Sequence, residues 1–456
     1  MRILSSCLLV VSLVATPPFL EGSKASADTW KAGLARVDIT PTESMWMAGY
    51  AGRNRPSEGT LHPLWVKVVA LEDAQGNKGV IVTSDILGFP RGLSEAIWAE
   101  LEEKYDLEKA QVMLTASHTH TGPVLSEGLL DIYPVDDEQM KRIDEYTQEL
   151  KGKIVAVVGE ALADMRPVVL SASEGSTDFA ANRRNNSEAS VVQLRAEGKA
   201  TVGPSDHAVP VLAVKSPDGG LLAVVFGYAC HCTTLSDYDW SGDHAGFAQI
   251  ELEKAIPGCQ AMFWAGCGAD QNPIPRRSVE LCEKYGKMMC SAVQEALGKD
   301  MRPVEPKLQT RFEFIDIPFG NEVSLEEWKA RTNQGGWVAR WARRHADALE
   351  AGETLATSYS YPIQVWKLGE SQLWVVLGGE VVVDYALSFK KLFGENTWVA
   401  GYSNDCMAYI PSDRIRREGG YEAGAFNVYG LPTDSWCEDI EERITKTTEK
   451  LIQSFE

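Results

Sequence analysis

The sequence predicts an α/β fold of layered, mixed β-sheets flanked by helices. Three observations predict it. Short apolar runs alternate with amphipathic stretches along the whole chain. The run from Val66 to Thr83 folds back at Gln75-Gly76-Asn77, so at least one strand pair is antiparallel. No repeat, linker or break in composition divides the sequence, which favours one large domain over 28–456.

Taken in order, Val66–Leu71, Gly79–Ser84 and Val112–Ala116 read as buried strands. Leu93–Tyr105 between them reads as a helix, with Leu93, Ile97 and Leu101 on one stripe. A long helix is expected over about Asp137–Met165. Further strands fit Val168–Ala172, Val209–Val214, Leu221–Tyr228, Gln260–Trp264, Gln309–Ile317, Tyr361–Leu368 and Leu373–Gly378. Helices fit Gly246–Ala255, Ser278–Leu297, Leu325–Leu349, Val381–Leu392 and Glu438–Ser454.

Residues 1–27 have the features of a cleaved signal peptide. Arg2 is followed by the apolar run Ile3–Val14 and by the small-residue site Ala25-Ser26-Ala27. That run is short for a membrane span, and no later stretch is long and apolar enough for one, so an exported protein, periplasmic or extracellular, is expected. A formal net charge of -20 argues against nucleic acid as a partner, because phosphate backbones are repelled. Eight cysteines remain after Cys7, with no Cys-x-x-Cys pair, and no disulfide pairing is predicted.

Chemistry concentrates at three strand ends. Ser117-His118-Thr119-His120 follows the apolar Val112–Ala116; two residues apart in an extended chain, both imidazoles point to one side. Zinc accepts neutral imidazole, and a catalytic zinc keeps one position open for water. A polar turn explains the dipeptide equally well. His231 follows the run Leu221–Tyr228, and alone it reads more readily as a hydrogen-bonded structural histidine. Glu380 closes Trp374–Gly379 before a helix; it fits a cation ligand or a helix-start carboxylate almost equally. Asp243 reads as a helix cap and His244 as a first-turn residue facing solvent or the rim of a site. Asp85 could support the site from behind its ligands or cap a turn, and reads more readily as the cap; the tryptophans, Trp46, Trp240, Trp264, Trp337 and Trp341 among them, could line a pocket but read mainly as core.

These residues, in order, resemble the neutral/alkaline (non-lysosomal) ceramidases. The resemblance lies in Gly33–Pro41 with Gly49-Tyr50, Ser117–Pro123, Asn182-Arg183, Cys230-His231-Cys232-Thr233, Ser241-Gly242-Asp243, Gly379-Glu380, and Tyr409 and Tyr421 twelve apart. It implies a zinc ion held by His118, His231, Glu380 and Tyr409, with His120 handling protons and Arg183 and Tyr421 holding or polarising the scissile carbonyl. Tyr409 as a ligand follows from the resemblance alone. The implied reaction is hydrolysis of an N-acyl amide such as N-acylsphingosine, to sphingosine and fatty acid, by a zinc-activated water. Two departures stand out. Family members carry a serine in Gly-Asp-x-Ser-Pro-Asn; Gly268-Ala269-Asp270-Gln271-Asn272-Pro273 is the nearest stretch, with Gln271 taken as the serine's replacement, which removes an acyl-serine route. Full-size members also continue into an immunoglobulin-like domain, whereas this chain stops after its last helix, so lipid docking is expected to differ. Two alternatives stay open: the same zinc scaffold acting on an acylated amino sugar, an ester or a glycoside, and a non-catalytic carbohydrate- or lipid-binding protein. A metallo-β-lactamase is ruled out by Gly122 and Pro123 where Asp and His would be required.

Overall fold

The structure, a computed structural model, describes residues 29–129 and 131–456. The signal-peptide expectation, with its cleavage site, lies outside the described residues.

Two sheets pack face to face. The larger has nine strands. Eight run in the spatial order Gln260–Ala265, Leu221–Tyr228, Ala208–Lys215, Arg166–Ser176, Trp30–Asp38, Trp65–Glu72, Lys78–Ser84 and Val112–Ala116, and Arg302–Val304 pairs beside Arg166–Ser176. The smaller sheet orders Leu308–Pro318, Ser358–Leu368, Gln372–Leu377 and Thr397–Ala400. Both are mixed: Lys78–Ser84 with Val112–Ala116, Leu221–Tyr228 with Gln260–Ala265, and Gln372–Leu377 with Thr397–Ala400 are parallel pairs.

The continuous apolar runs follow from burial on both faces of each sheet. Val69, Leu71, Ile81, Met113, Val225 and Trp264 face across to Trp366, Trp374, Val376 and Trp398 of the smaller sheet. Their alternates Val68, Ala70, Val80, Val82 and Leu114 face outward onto the helices Arg91–Tyr105 and Asp137–Ala163. Val224, Phe226, Ala261 and Phe263 pack on Asp243–Ala255 and Val279–Gly298. Val375 and Leu377 pack on Val383–Phe393 and Ile440–Gln453. The result is a helix–sheet–sheet–helix stack. The Asp136 carboxylate accepts from Gln139 N at 2.8 Å and starts the longest helix. Gly33 lets that helix lie on the sheet, since a Cβ there would sit 1.8 Å from the Ala161 carbonyl.

The hairpin turning at Gln75-Gly76-Asn77 is present, with Asp73 accepting from the backbone of Gln75 and Asn77. Several boundaries differ from expectation. The helix expected over Leu325–Leu349 is two, Leu325–Arg331 and Gly336–Glu350, because Gly335 and Gly336 adopt φ of 79° and 59° and interrupt it. The strand Trp30–Asp38 and the helix Glu188–Ala196 were not anticipated. Trp46, Trp240, Trp264 and Trp341 are core residues, as their apolar bulk suggests.

Candidate metal centre and substrate cleft

Isolated backbone bridges gather the carboxyl ends of the parallel strands: Thr119 pairs with Cys232, Thr115 with Ser403 and Gly266 with Ala400. Carboxyl ends of strands are where open α/β sheets place their ligands. His118 leaves Val112–Ala116 with a φ of 58°, a costly conformation for a non-glycine residue, held because both sides of the turn are fixed. Glu380 begins a two-residue parallel pairing with Tyr409, which brings these two together although the loop between them is long.

His118, His120 and His231 form the one group of metal-ligating side chains of this kind found among the described residues. All three are buried, with ligand atoms within 4.8 Å of one another. The Nδ1–H of His118 donates to the Leu87 carbonyl at 2.7 Å, and that of His231 to the Gly268 carbonyl at 2.7 Å. A carbonyl only accepts, so both Nδ1 atoms carry a proton, and a neutral ring so fixed presents its Nε2 lone pair. Those lone pairs converge. His118 Nε2 lies 3.2 Å from His120 Nε2 and 3.4 Å from Glu380 Oε2, and His231 Nε2 lies 3.0 Å from that same oxygen. Burial and the nearby Arg183 charge push His231 down to about 4, and burial with the neighbouring histidines holds His120 well below the usual imidazole range. A neutral His231 with its proton on Nδ1 cannot bridge to the carboxylate through Nε2. His231 Nε2 and Glu380 Oε2 accordingly have no hydrogen-bond partner, and a cation is the group that satisfies such a set. The arrangement could bind a metal.

All seven expected site residues meet here. Arg183, Tyr409, Tyr421 and His120 line one cleft of about 670 Å³. Arg183 Nη2 donates to the Tyr409 hydroxyl at 3.4 Å and its Nε to Glu422 at 2.8 Å. The Arg183 guanidinium lies over the Tyr421 ring, 5.4 Å from its centroid, and Tyr421 stands edge-on to Tyr409 at 5.2 Å. Burial and Glu380 hold the Tyr409 phenol well above its usual range.

Sequence reasoning missed two tyrosines. The Tyr402 ring lies 4.2 Å from that of His118, and the Tyr429 hydroxyl donates to Glu380 Oε1 at 2.6 Å. Tyr402 stands just past the buried strand Thr397–Ala400, which was not among the expected strands, and Tyr429 follows no apolar strand. Three smaller expectations also need correction or comment. His244 is fully buried rather than facing solvent or rim: its Nδ1 donates to Asp243 Oδ1 at 2.9 Å, and its Nε2 faces Cys232 Sγ. Gly242, not Asp243, occupies the cap of that helix; Asp243 instead accepts from Leu235 N at 2.8 Å. Asp85 keeps its structural reading, accepting from Trp65 N at 3.0 Å.

The sequence profile described as "Neutral/alkaline non-lysosomal ceramidase, N-terminal" matches residues 30–267, just over half of the chain. The chain belongs to this family. Among curated proteins it is similar to the neutral ceramidase of Pseudomonas aeruginosa, 24% identical over 344 residues, 69% of this chain and 48% of that one. It is also similar to neutral ceramidase B of Dictyostelium discoideum, 22% identical over 264 residues, 56% of this chain and 36% of that one. The chain thus spans about half the length, or less, of these relatives. The crystal structure of the Pseudomonas aeruginosa neutral ceramidase superposes with a TM-score of 0.71 at 18% identity, covering 92% of this chain and 73% of that one. A structure titled "Ceramidase complexed with C2" gives 0.69 at 17% identity, over 92% and 74%. The mixed, layered fold is therefore that of a neutral ceramidase.

Within that family frame, the segment Gly268–Pro273 ties the centre together. Gly268 O orients His231, Ala269 N donates to Val381 O at 3.1 Å, and Asp270 O accepts from Arg183 N at 2.8 Å. Asp270, raised to about 6 mainly by burial, accepts from Val383 N and from Asn182 Nδ2, both at 2.9 Å. Gln271 points away from the cleft, donating to Ala229 O and accepting from Asp206 N at 3.1 Å. The residue of this segment that lines the cleft is Asn272, and Gln271 is not part of that lining.

Proposed function

We propose that the protein is a zinc-dependent hydrolase of N-acyl amide bonds. The observation that carries this reading is the convergence of two buried imidazole lone pairs and one carboxylate oxygen beside a cleft that also holds His120, Arg183 and Tyr421. His118, His231, Glu380 and Tyr409 would hold the zinc. Zinc is preferred over harder cations because two of the four donors are imidazole nitrogens. A bound zinc supplies a Lewis acid, which acidifies water and polarises a carbonyl.

The protein's own groups do the rest. His120, kept neutral by burial, can take up a proton and pass it to the leaving amine. Arg183, fixed by Glu422, and Tyr421, set against Tyr409, orient the acyl oxygen from the opposite wall. Tyr429 holds Glu380 in place through its 2.6 Å hydrogen bond. An acyl-enzyme is not part of this reading, because neither the outward-bonded Gln271 nor Asn272 is a nucleophile.

The test combines metal analysis of the purified protein with release of free amine from a panel of N-acyl compounds, including ceramides and acylated amino sugars. We expect about one zinc per chain, loss of hydrolysis on chelation and recovery with added zinc. Hydrolysis that is indifferent to a chelator which has stripped the metal would refute the reading.

A further inference from the structure

The charge of the cleft runs against that of the chain, which carries 64 acidic residues against 44 lysines and arginines. The charged residues of the cleft wall, His120 aside, are Arg183, Arg184, Arg276, Glu418 and Glu422, with no aspartate and no lysine. A cleft that reverses the sign of its surroundings draws in ligands of the opposite charge.

These charges are balanced around Tyr421 and unbalanced around Arg276. Arg183 and Arg184 share Glu422, and Arg184 also meets Glu418 at 3.1 Å. Arg414, the other partner of Glu418, is answered by Asp384 at 3.0 Å. By contrast, Arg276 and Arg277 share the single carboxylate of Glu188, at 2.7 and 2.6 Å, and neither has a second ion-pair partner among the described residues. One positive charge is left over. Arg276 engages Glu188 through Nε; its two Nη groups have no acceptor among the described residues and keep accessible surface, on a residue that lines the cleft. The edge of a guanidinium between its Nη groups grips a carboxylate with two parallel hydrogen bonds.

Arg276 is tied to the part of the cleft that serves the leaving group. The Tyr50 ring stands edge-on to His120 at 4.9 Å, and its hydroxyl reaches the Thr233 and Leu235 carbonyls at 3.4 and 2.7 Å. The Thr234 carbonyl between them accepts from Arg277 N at 2.6 Å. One short segment thus carries both Tyr50, packed on the proton-handling histidine, and the main chain beside Arg276.

We infer that the amine half of the substrate bears a negatively charged group held end-on by Arg276: an N-acyl amino acid, with its carboxylate on the two Nη groups. This inference rests on the amide-hydrolase reading above. One water is consumed per turnover. Its oxygen joins the acyl carbon as the C–N bond breaks, and both its protons go to the nitrogen, giving a carboxylate and the ammonium group of the free amino acid.

The zinc-loaded full chain is assayed on the N-octanoyl derivatives of glycine, β-alanine and 4-aminobutyrate, on the matching carboxamides, and on N-octanoylsphingosine, with released octanoate as the common readout. We expect kcat/KM on the best carboxylate to exceed that on its own carboxamide, and that on the ceramide, by about tenfold or more, the worth of one charged hydrogen-bonded contact. Equal or better cleavage of the carboxamide or the ceramide overturns the inference and leaves the hydrolase reading intact. Cleavage of none, with zinc bound, overturns both. Arg276→Gln is expected to bring the carboxylate-to-carboxamide ratio down to about one, chiefly through KM for the carboxylate. An unchanged ratio in a variant that unfolds at the parent's midpoint removes Arg276 from the subsite and overturns the inference. If that variant does not fold, the parent's own ratio is followed as salt is raised: it should shrink, as an ion pair that water reaches does, and a ratio indifferent to salt overturns the inference equally.

Discussion

His118, His231 and Glu380, a buried floor beneath the cleft lined by His120, are each positioned by main chain: the Leu87 carbonyl, the Gly268 carbonyl and the pairing with Tyr409. Tyr421, Glu422 and Arg184 on its rim are positioned largely by one another. Glu422 accepts from Arg183 at 2.8 Å and from Arg184 at 2.6 Å, and Arg184 donates to Gly419 O at 2.8 Å beside two glycines of positive φ. Tyr421 itself is 53% exposed, against 1% for His118. The floor borrows its rigidity from two sheets and their cores. The rim depends on ion pairs centred on the buried Glu422 carboxylate, which matter chiefly because removing one partner leaves the other charges underpaired. On the proposed reading, the floor would hold the metal and the rim would tune substrate selection.

The sharpest way to break the comparison is to remove a floor ligand. His118→Ala and His231→Ala each delete one of the proposed imidazole donors, and the double variant leaves His120 as the single histidine of the trio. Zinc content is expected to fall to background in the double variant, and hydrolysis with it; stoichiometric zinc there would dissolve the proposed ligand set. His120 tests where the floor ends. Its Nε2 is 3.2 Å from that of His118, yet its Nδ1 has no partner, so no carbonyl fixes its tautomer as one does for His118 and His231. We expect His120→Ala to keep its zinc and to lose roughly 10²–10⁴-fold in kcat, the usual worth of general acid–base help. Zinc loss equal to that of His231→Ala would make His120 a ligand instead.

The same contrast explains what could be read from the sequence. Floor residues are legible because each follows an apolar run that must be a buried strand, so His118, His231 and Glu380 announce themselves as polar groups where a strand stops. The sheet stack is legible for the same reason, since runs such as Val80–Val82 and Leu373–Leu377 leave no polar face. The rim gives no such signal. Tyr409 and Tyr421 came from family resemblance, Tyr429 and Tyr402 from neither source. Tyr402 reaches His118 through a φ of 51°, a conformation that residue type does not forecast. Asn272 and Gln271 are adjacent, and which one faces the cleft depends on the two-strand pairing of Gln271–Pro273 with Ala180–Asn182, a long-range contact invisible to local pattern.

The smallest expected effect lies in the rim's own ion pairs. Burial raises the Glu422 carboxyl, but Arg183 and Arg184 outweigh it and hold the group below the ordinary glutamate range. A carboxyl lowered on folding stabilises the folded state above its unfolded value, near 4.5, and loses that contribution as pH falls through the lower folded value. Glu422→Gln should therefore cost about 1–3 kcal/mol at pH 7, measured by denaturant unfolding, for the two guanidinium groups left underpaired. The gap between parent and variant should narrow as pH falls below 4.5 and close once the parent's Glu422 is protonated. Zinc content should stay at the parent's level throughout the neutral range, because no floor contact passes through Glu422. A variant that loses zinc at pH 7 would mean that Arg183 and Tyr409 transmit rim strain to the ligands, and the separation of floor from rim would fail.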